Sequence, residues 1–140
     1  MLSRWDSIGT VFRNRTSFAF SFHEFVNFTN NIGADFQGSH IQYVTLPENS
    51  HLNTSAFYNS WIIELTLPAA ISSIPNGCFQ LCRRLLELTV LNPTPPTVGN
   101  NAFQYTENMR AIYVPAESVD LYKVASGWSA KASIIQAIPQ

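Results

Sequence analysis

The stretch Phe57-Tyr58-Asn59-Ser60-Trp61-Ile62-Ile63-Glu64-Leu65-Thr66-Leu67-Pro68 decides how this chain reads. Its spaced apolar residues are Phe57, Ile62, Leu65 and Leu67, and a proline closes it. The same frame occurs three more times. One copy runs from Phe36 through Ile41, Val44 and Leu46 to Pro47. Another runs from Phe79 through Leu85 and Leu88 to Val90, without the proline. The last runs from Phe103 through Met109, Ile112 and Val114 to Pro115. The four phenylalanines stand 21, 22 and 24 residues apart. A unit of this length cannot bury its apolar face alone, so neighbouring units must stack. The chain therefore reads as a short repeat solenoid, and function is expected on an extended surface.

Each unit ends in a short strand with alternate residues inward: YVTL, ELTL, ELTV and AIYV. Ala56, Cys78 and Ala102 precede three of the phenylalanines, with Asp35 the exception, which predicts a crowded bend beneath each ring. Residues 1–35 read as an N-terminal aromatic cap or degenerate repeat, holding Phe12, Phe18, Phe20, Phe22, Phe25 and Phe28. Residues 36–115 hold four repeat units. Residues 116–140 read as a C-terminal cap, with a helix over 116–126, Gly127 beyond its last turn and Trp128 folding back beneath it. Ile134, Ile135 and Ile138 suggest a final strand. The longest connection, Asn92-Pro93-Thr94-Pro95-Pro96, is expected to run extended, either as a rigid spacer or as a variable functional loop.

At 46% hydrophobic residues the 140-residue chain has apolar material for one core. Charged residues make up only 12% and the formal net charge is −1, so the basic stripe of a nucleic-acid binder is absent. No apolar run approaches the ~20 residues needed to cross a bilayer. The start, Met1-Leu2-Ser3-Arg4-Trp5-Asp6, has no apolar segment of the signal-peptide kind, so the expectation is a piece of a longer secreted protein or another route to the destination. Cys78 and Cys82 both fall on core positions of the third unit and read as buried thiols, with a local disulfide or half a metal site as the alternatives. His23, His40 and His51 fall in unrelated registers, and no nucleophile-and-base arrangement is evident. Neither catalysis nor a cofactor is expected.

The repeat resembles that of the BspA-like leucine-rich repeat surface proteins, whose unit reads roughly A-F-x2-C-x2-L-x2-I-x-L-P. Ala102-Phe103 through Pro115 and Cys78-Phe79-x2-Cys82 through Val90 carry the likeness, with shortened copies before them. Phe25 through Phe36 looks like the family's entry segment, and Val114 through Ser129 like its C-terminal cap. Ser60 and Gly38 stand where the family has cysteine. The resemblance implies an α/β-type leucine-rich repeat solenoid, a cell-surface or secreted location, a bacterial or protozoan setting, and adhesion to proteins, host extracellular proteins among them.

Candidate site residues follow from the ladder. One outward row holds Tyr43, Glu64, Glu87 and Ala111, and another holds Thr45, Thr66, Thr89 and Tyr113. Adjacent glutamates about 4.8 Å apart repel and invite a compensating cation, and the tyrosines offer anchors. The expected site is therefore Tyr43, Thr45, Glu64, Thr66, Glu87, Thr89 and Tyr113, receiving a protein partner. Two rivals are a structural module, such as an envelope or virion component, that self-associates through the Phe-rich N-terminal edge, and a carbohydrate-binding accessory domain. The latter would use Tyr43, Tyr58, Trp61, Tyr105 and Tyr113, although Trp61 also fits the core.

Overall fold

A computed structural model describes residues 36–40 and 42–140, together with the strand backbone at 19–21 and 31–32. The main sheet is parallel and six-stranded. Its strands are β1 (Ala19–Ser21), β3 (Tyr43–Thr45), β5 (Glu64–Leu67), β7 (Glu87–Val90), β9 (Ala111–Val114) and β10 (Ile135–Ala137), in the spatial order β1-β3-β5-β7-β9-β10. Two smaller parallel ladders join β2 (Asn31–Ile32) to β4 (His51–Leu52), and β6 (Ser73–Ile74) to β8 (Thr97–Val98). Chain order and parallel pairing together require the backbone to return after each strand, so the units stack side by side.

Proline ends three of the strands. Pro47, Pro68 and Pro115 lack the N–H that would extend the ladder. The third unit has Leu91 in place of proline, and there the Leu91 N–H donates to the Leu67 carbonyl at 3.0 Å. Alternation is clean in β5, whose residues are exposed, buried, exposed and buried in turn.

The phenylalanines form a column through the core. Phe36 and Phe57 stack at 5.0 Å, Phe57 and Phe79 at 5.5 Å, and Phe79 and Phe103 at 5.7 Å, all within 12° of parallel. The preceding small residues explain how the turns approach so closely. The N–H groups of Phe36, Phe57 and Phe79 donate to the carbonyls of Ala56, Cys78 and Ala102 in the next unit. Those three residues are buried, so a larger side chain there would push adjacent turns apart.

The corner needs left-handed backbone on both sides of the ring. Two residues after each phenylalanine, Gly38, Asn59, Leu81 and Tyr105 have φ between 55° and 66°. This corrects the expected alignment at Gly38. The residue equivalent to Ser60 and Cys82 is Ser39, which is buried with them and with Thr106. Gly38 instead occupies the left-handed position, where glycine carries no steric penalty.

After β9 the chain forms a 3-10 turn (Ala116–Ser118), α1 (Val119–Val124) and a kinked 3-10 segment (Ser129–Ile134) before β10. The regular helix is six residues long, shorter than the 116–126 expected, because Ala125 is already extended at ψ 143°. Tyr122 and Trp128 are fully buried, and Trp128 meets both Phe103 and Tyr122. The burial expected for Phe12, Phe18, Phe20, Phe22, Phe25 and Phe28 concerns side chains outside the described residues, as do Ile41 of the first unit and the self-association edge.

Candidate functional site

The outward face of the main sheet is set by strict register. Tyr43 faces Glu64, Glu64 faces Glu87 and Glu87 faces Ala111; Thr45 faces Thr66, Thr66 faces Thr89 and Thr89 faces Tyr113. The two rows read from the sequence are therefore rows in the backbone. Tyr43, Glu64 and Thr66 are exposed, while Glu87, Thr89 and Tyr113 are half-buried. Ala111 is buried at the end of the first row, so the acidic row stops at Glu87. Tyr43 and Tyr113 belong to strands three places apart, a separation of about 14 Å at ordinary strand spacing. The Thr45 side chain lies outside the described set.

Beside Thr66, a recess of about 320 Å³ opens among Val44, Leu46, Glu48, Pro68 and Leu91. Leu91 is one of the few large apolar side chains left exposed. The threonine row thus borders an apolar hollow that could take a side chain from another molecule.

A further column flanks the strands and was not read from the sequence. His40, Trp61 and Arg84 each stand one residue before the same position of the repeat frame, held by Ile41, Ile62 and Leu85 and buried at Ile62 and Leu85. The imidazole of His40 stacks on Trp61 at 3.8 Å and 16°. The Arg84 guanidinium lies 3.8 Å from the same ring centroid. Two groups cannot occupy one face at that distance, so Trp61 is covered on both faces. It is neither core nor an open platform. The signal was present as equal offsets from the repeat frame, but mixed residue types concealed it.

Cys82 donates from Sγ to the Phe57 carbonyl at 2.9 Å and lies 3.5 Å from Ser60 Oγ. Both cysteines are free, buried thiols. Burial pushes the Cys82 thiol up to about 11. It pushes Cys78 further in the same direction, with the neighbouring Cys82 adding to the effect. Neither is poised as a nucleophile. Among the described residues, no group of three His, Cys, Asp or Glu side chains could hold a metal ion. No described helix is long and apolar enough to cross a membrane.

The proline-rich connection has a structural task. Its carbonyls accept hydrogen bonds from the C-terminal segment: Asn92 from Tyr122 Oη at 2.6 Å, Pro93 from Ser118 Oγ at 2.8 Å and Pro96 from Trp128 Nε1 at 2.8 Å. Prolines suit this because Pro93, Pro95 and Pro96 have no N–H to pair in a ladder, and the Thr94 N–H is taken by Asn92 Oδ1 at 2.9 Å, which leaves the carbonyls to partners.

No curated protein sequence matches the chain. A family model for the BspA-type leucine-rich repeat region matches residues 11–125 with six copies, two more than the four full units of the Phe-led frame. β1, upstream of those four units, is in register with β3 and extends the repeat toward the N-terminus. With most of the chain matched and its strands in a parallel ladder, the chain belongs to the BspA-type leucine-rich repeat family.

Proposed function

We propose that this chain is a non-catalytic protein-binding module, acting in adhesion or interaction at a cell surface or in a secreted protein. Its site is the outward sheet face made by Tyr43, Thr45, Glu64, Thr66, Glu87, Thr89 and Tyr113. The observation that carries the reading is the in-register Glu64–Glu87 pair between the two tyrosines. Adjacent carboxylates on neighbouring strands destabilise the fold slightly, and a basic group from a partner relieves that cost. The apolar recess beside Thr66 supplies a seat for a second anchor. Family membership supports an interaction module. In this reading residues 1–35 and 116–140 close the two ends of the repeat array, which frees the sheet face for ligand.

The test is surface plasmon resonance of the immobilised chain against a panel of purified extracellular proteins. Glu64→Gln with Glu87→Gln is expected to weaken the responding partner about tenfold at low salt. An unchanged affinity would remove the glutamate pair from the site. Trp61, one of the five rings the carbohydrate reading would use, is stacked between His40 and Arg84, which favours the protein-binding reading.

A further inference from the structure

Of the five described lysine and arginine side chains, three converge on one place. Arg83, Arg84 and Arg110 line an open concavity of about 380 Å³ with Asn108, over a floor of Ile63 and Leu86. No carboxylate lines it. All three arginines are exposed, and none is ion-paired among the described residues. In a chain of net charge −1 this is a marked local excess of positive charge.

Two of the guanidinium groups are held in place. Arg84 lies on Trp61 at 3.8 Å, and Arg83 lies over Tyr105 at 5.4 Å. A stacked guanidinium keeps its N–H edge free for a carboxylate and has less rotamer freedom left to lose on binding. The opposite end of the Trp61 stack is closed by His40, which fixes the indole under Arg84. Asn108 donates from Nδ2 to the Arg83 carbonyl at 2.7 Å and ties the corner of one unit to the next.

We propose that this concavity binds a short acidic stretch of a protein partner, with carboxylates on the arginines and an adjoining apolar side chain on Ile63 and Leu86. Its borders select that class of ligand. Glu64 and Glu87 directly follow Ile63 and Leu86, so an acidic row runs along one rim. A long polyanion, such as a sulfated glycan or a nucleic acid, would run onto like charge there. Sugar rings would also find no open aromatic face at Trp61. A short acidic segment fits, and one followed by a basic residue would meet the arginines and the glutamates together. The residues lining the concavity are distinct from those of the sheet-face site, which meets it only at the glutamate rim, so arginine and glutamate variants separate the two.

The experiment is a nuclear magnetic resonance titration of the arginine Nε–Hε signals of the full chain, with acetylated tetraglutamate amide as probe. Saturable shifts confined to Arg83, Arg84 and Arg110 are expected, weakening as salt rises. Arg83→Gln with Arg110→Gln should lower the affinity about tenfold. Lys123→Gln, a cation outside the concavity, should leave it unchanged. Amide spectra of each variant check that the fold is intact. The proposal is overturned if no saturable shift occurs up to about 5 mM probe, a range that two charge-assisted arginine–carboxylate hydrogen bonds should reach. It is equally overturned if Lys123→Gln weakens binding as much as the arginine variant does. Tighter binding of a sulfated hexasaccharide than of the peptide would reassign the site to glycans.

Discussion

The indole of Trp128 meets the ring of Phe103 at 5.5 Å and 56°, ending a column in which the preceding rings lie nearly parallel. Phe103 has no fifth phenylalanine to cover it and is only half-buried, while Trp128 is fully buried and also meets Tyr122 edge-on at 5.0 Å. Its Nε1 reaches the Pro96 carbonyl. Trp128→Ala removes ring contacts and a buried donor together, and is expected to cost about 3–5 kcal/mol in urea unfolding. Trp128→Phe keeps most of the packing but leaves Pro96 without its donor, and should cost about 1–3 kcal/mol.

Gly127 is held at φ +83°, and a Cβ there would stand 2.5 Å from Val98 Cβ. Both backbone strain and a clash with a β-branched neighbour oppose any larger residue. Gly127→Ala is expected to cost about 2 kcal/mol or more, read as a lower thermal midpoint. The value separates tight docking of the C-terminal segment from loose contact, since a loosely held segment would absorb the change.

Tyr105 has the opposite character. Its backbone is left-handed at φ +62° and its side chain is 44% exposed, so little burial offsets the strain. Asparagine tolerates this conformation. Tyr105→Asn is expected to raise stability by about 0.5–1 kcal/mol in a denaturant titration. Because Arg83 lies over the Tyr105 ring, the same variant should weaken tetraglutamate binding, so stability and binding should move in opposite directions.

The cysteines predict an alkaline limit. The folded chain holds the Cys82 proton more tightly than the unfolded chain does, because burial penalises the thiolate. Stability from this source is therefore complete below the ordinary value of 9.0 and is lost as pH rises toward about 11. Cys78 and Tyr122 act in the same sense, also through burial, whereas Lys131, lowered by burial, acts in the reverse sense. The urea midpoint is expected to fall across that interval. Ellman's reagent at pH 8 should find no reactive thiol in the native chain and both after denaturation. Absence of thiol in the denatured chain would show that the pair is oxidised.

The sequence by itself determined the repeat, its length, the inward positions of each strand and, through the shared frame, the outward rows of the sheet. It could do so because a stacked parallel ladder makes equal offsets into neighbours, so one-dimensional periodicity carries three-dimensional contact. Asn92 through Pro96 show where that logic ends. Their composition implied extended backbone, but only the fold showed that Ser118, Tyr122 and Trp128 return to their carbonyls from 25 to 32 residues away. Trp61 is the same lesson at the surface. A tryptophan in a repeat reads as core, and its actual place between His40 and Arg84 depends on which side chains the neighbouring turns offer at that offset. The grouping of Arg83 and Arg84 with Arg110 likewise arises only when two units lie side by side. Positions that repeat in type were legible because the copies share one place in the frame; positions that differ in type acquired their meaning only from the neighbour that stacking placed against them.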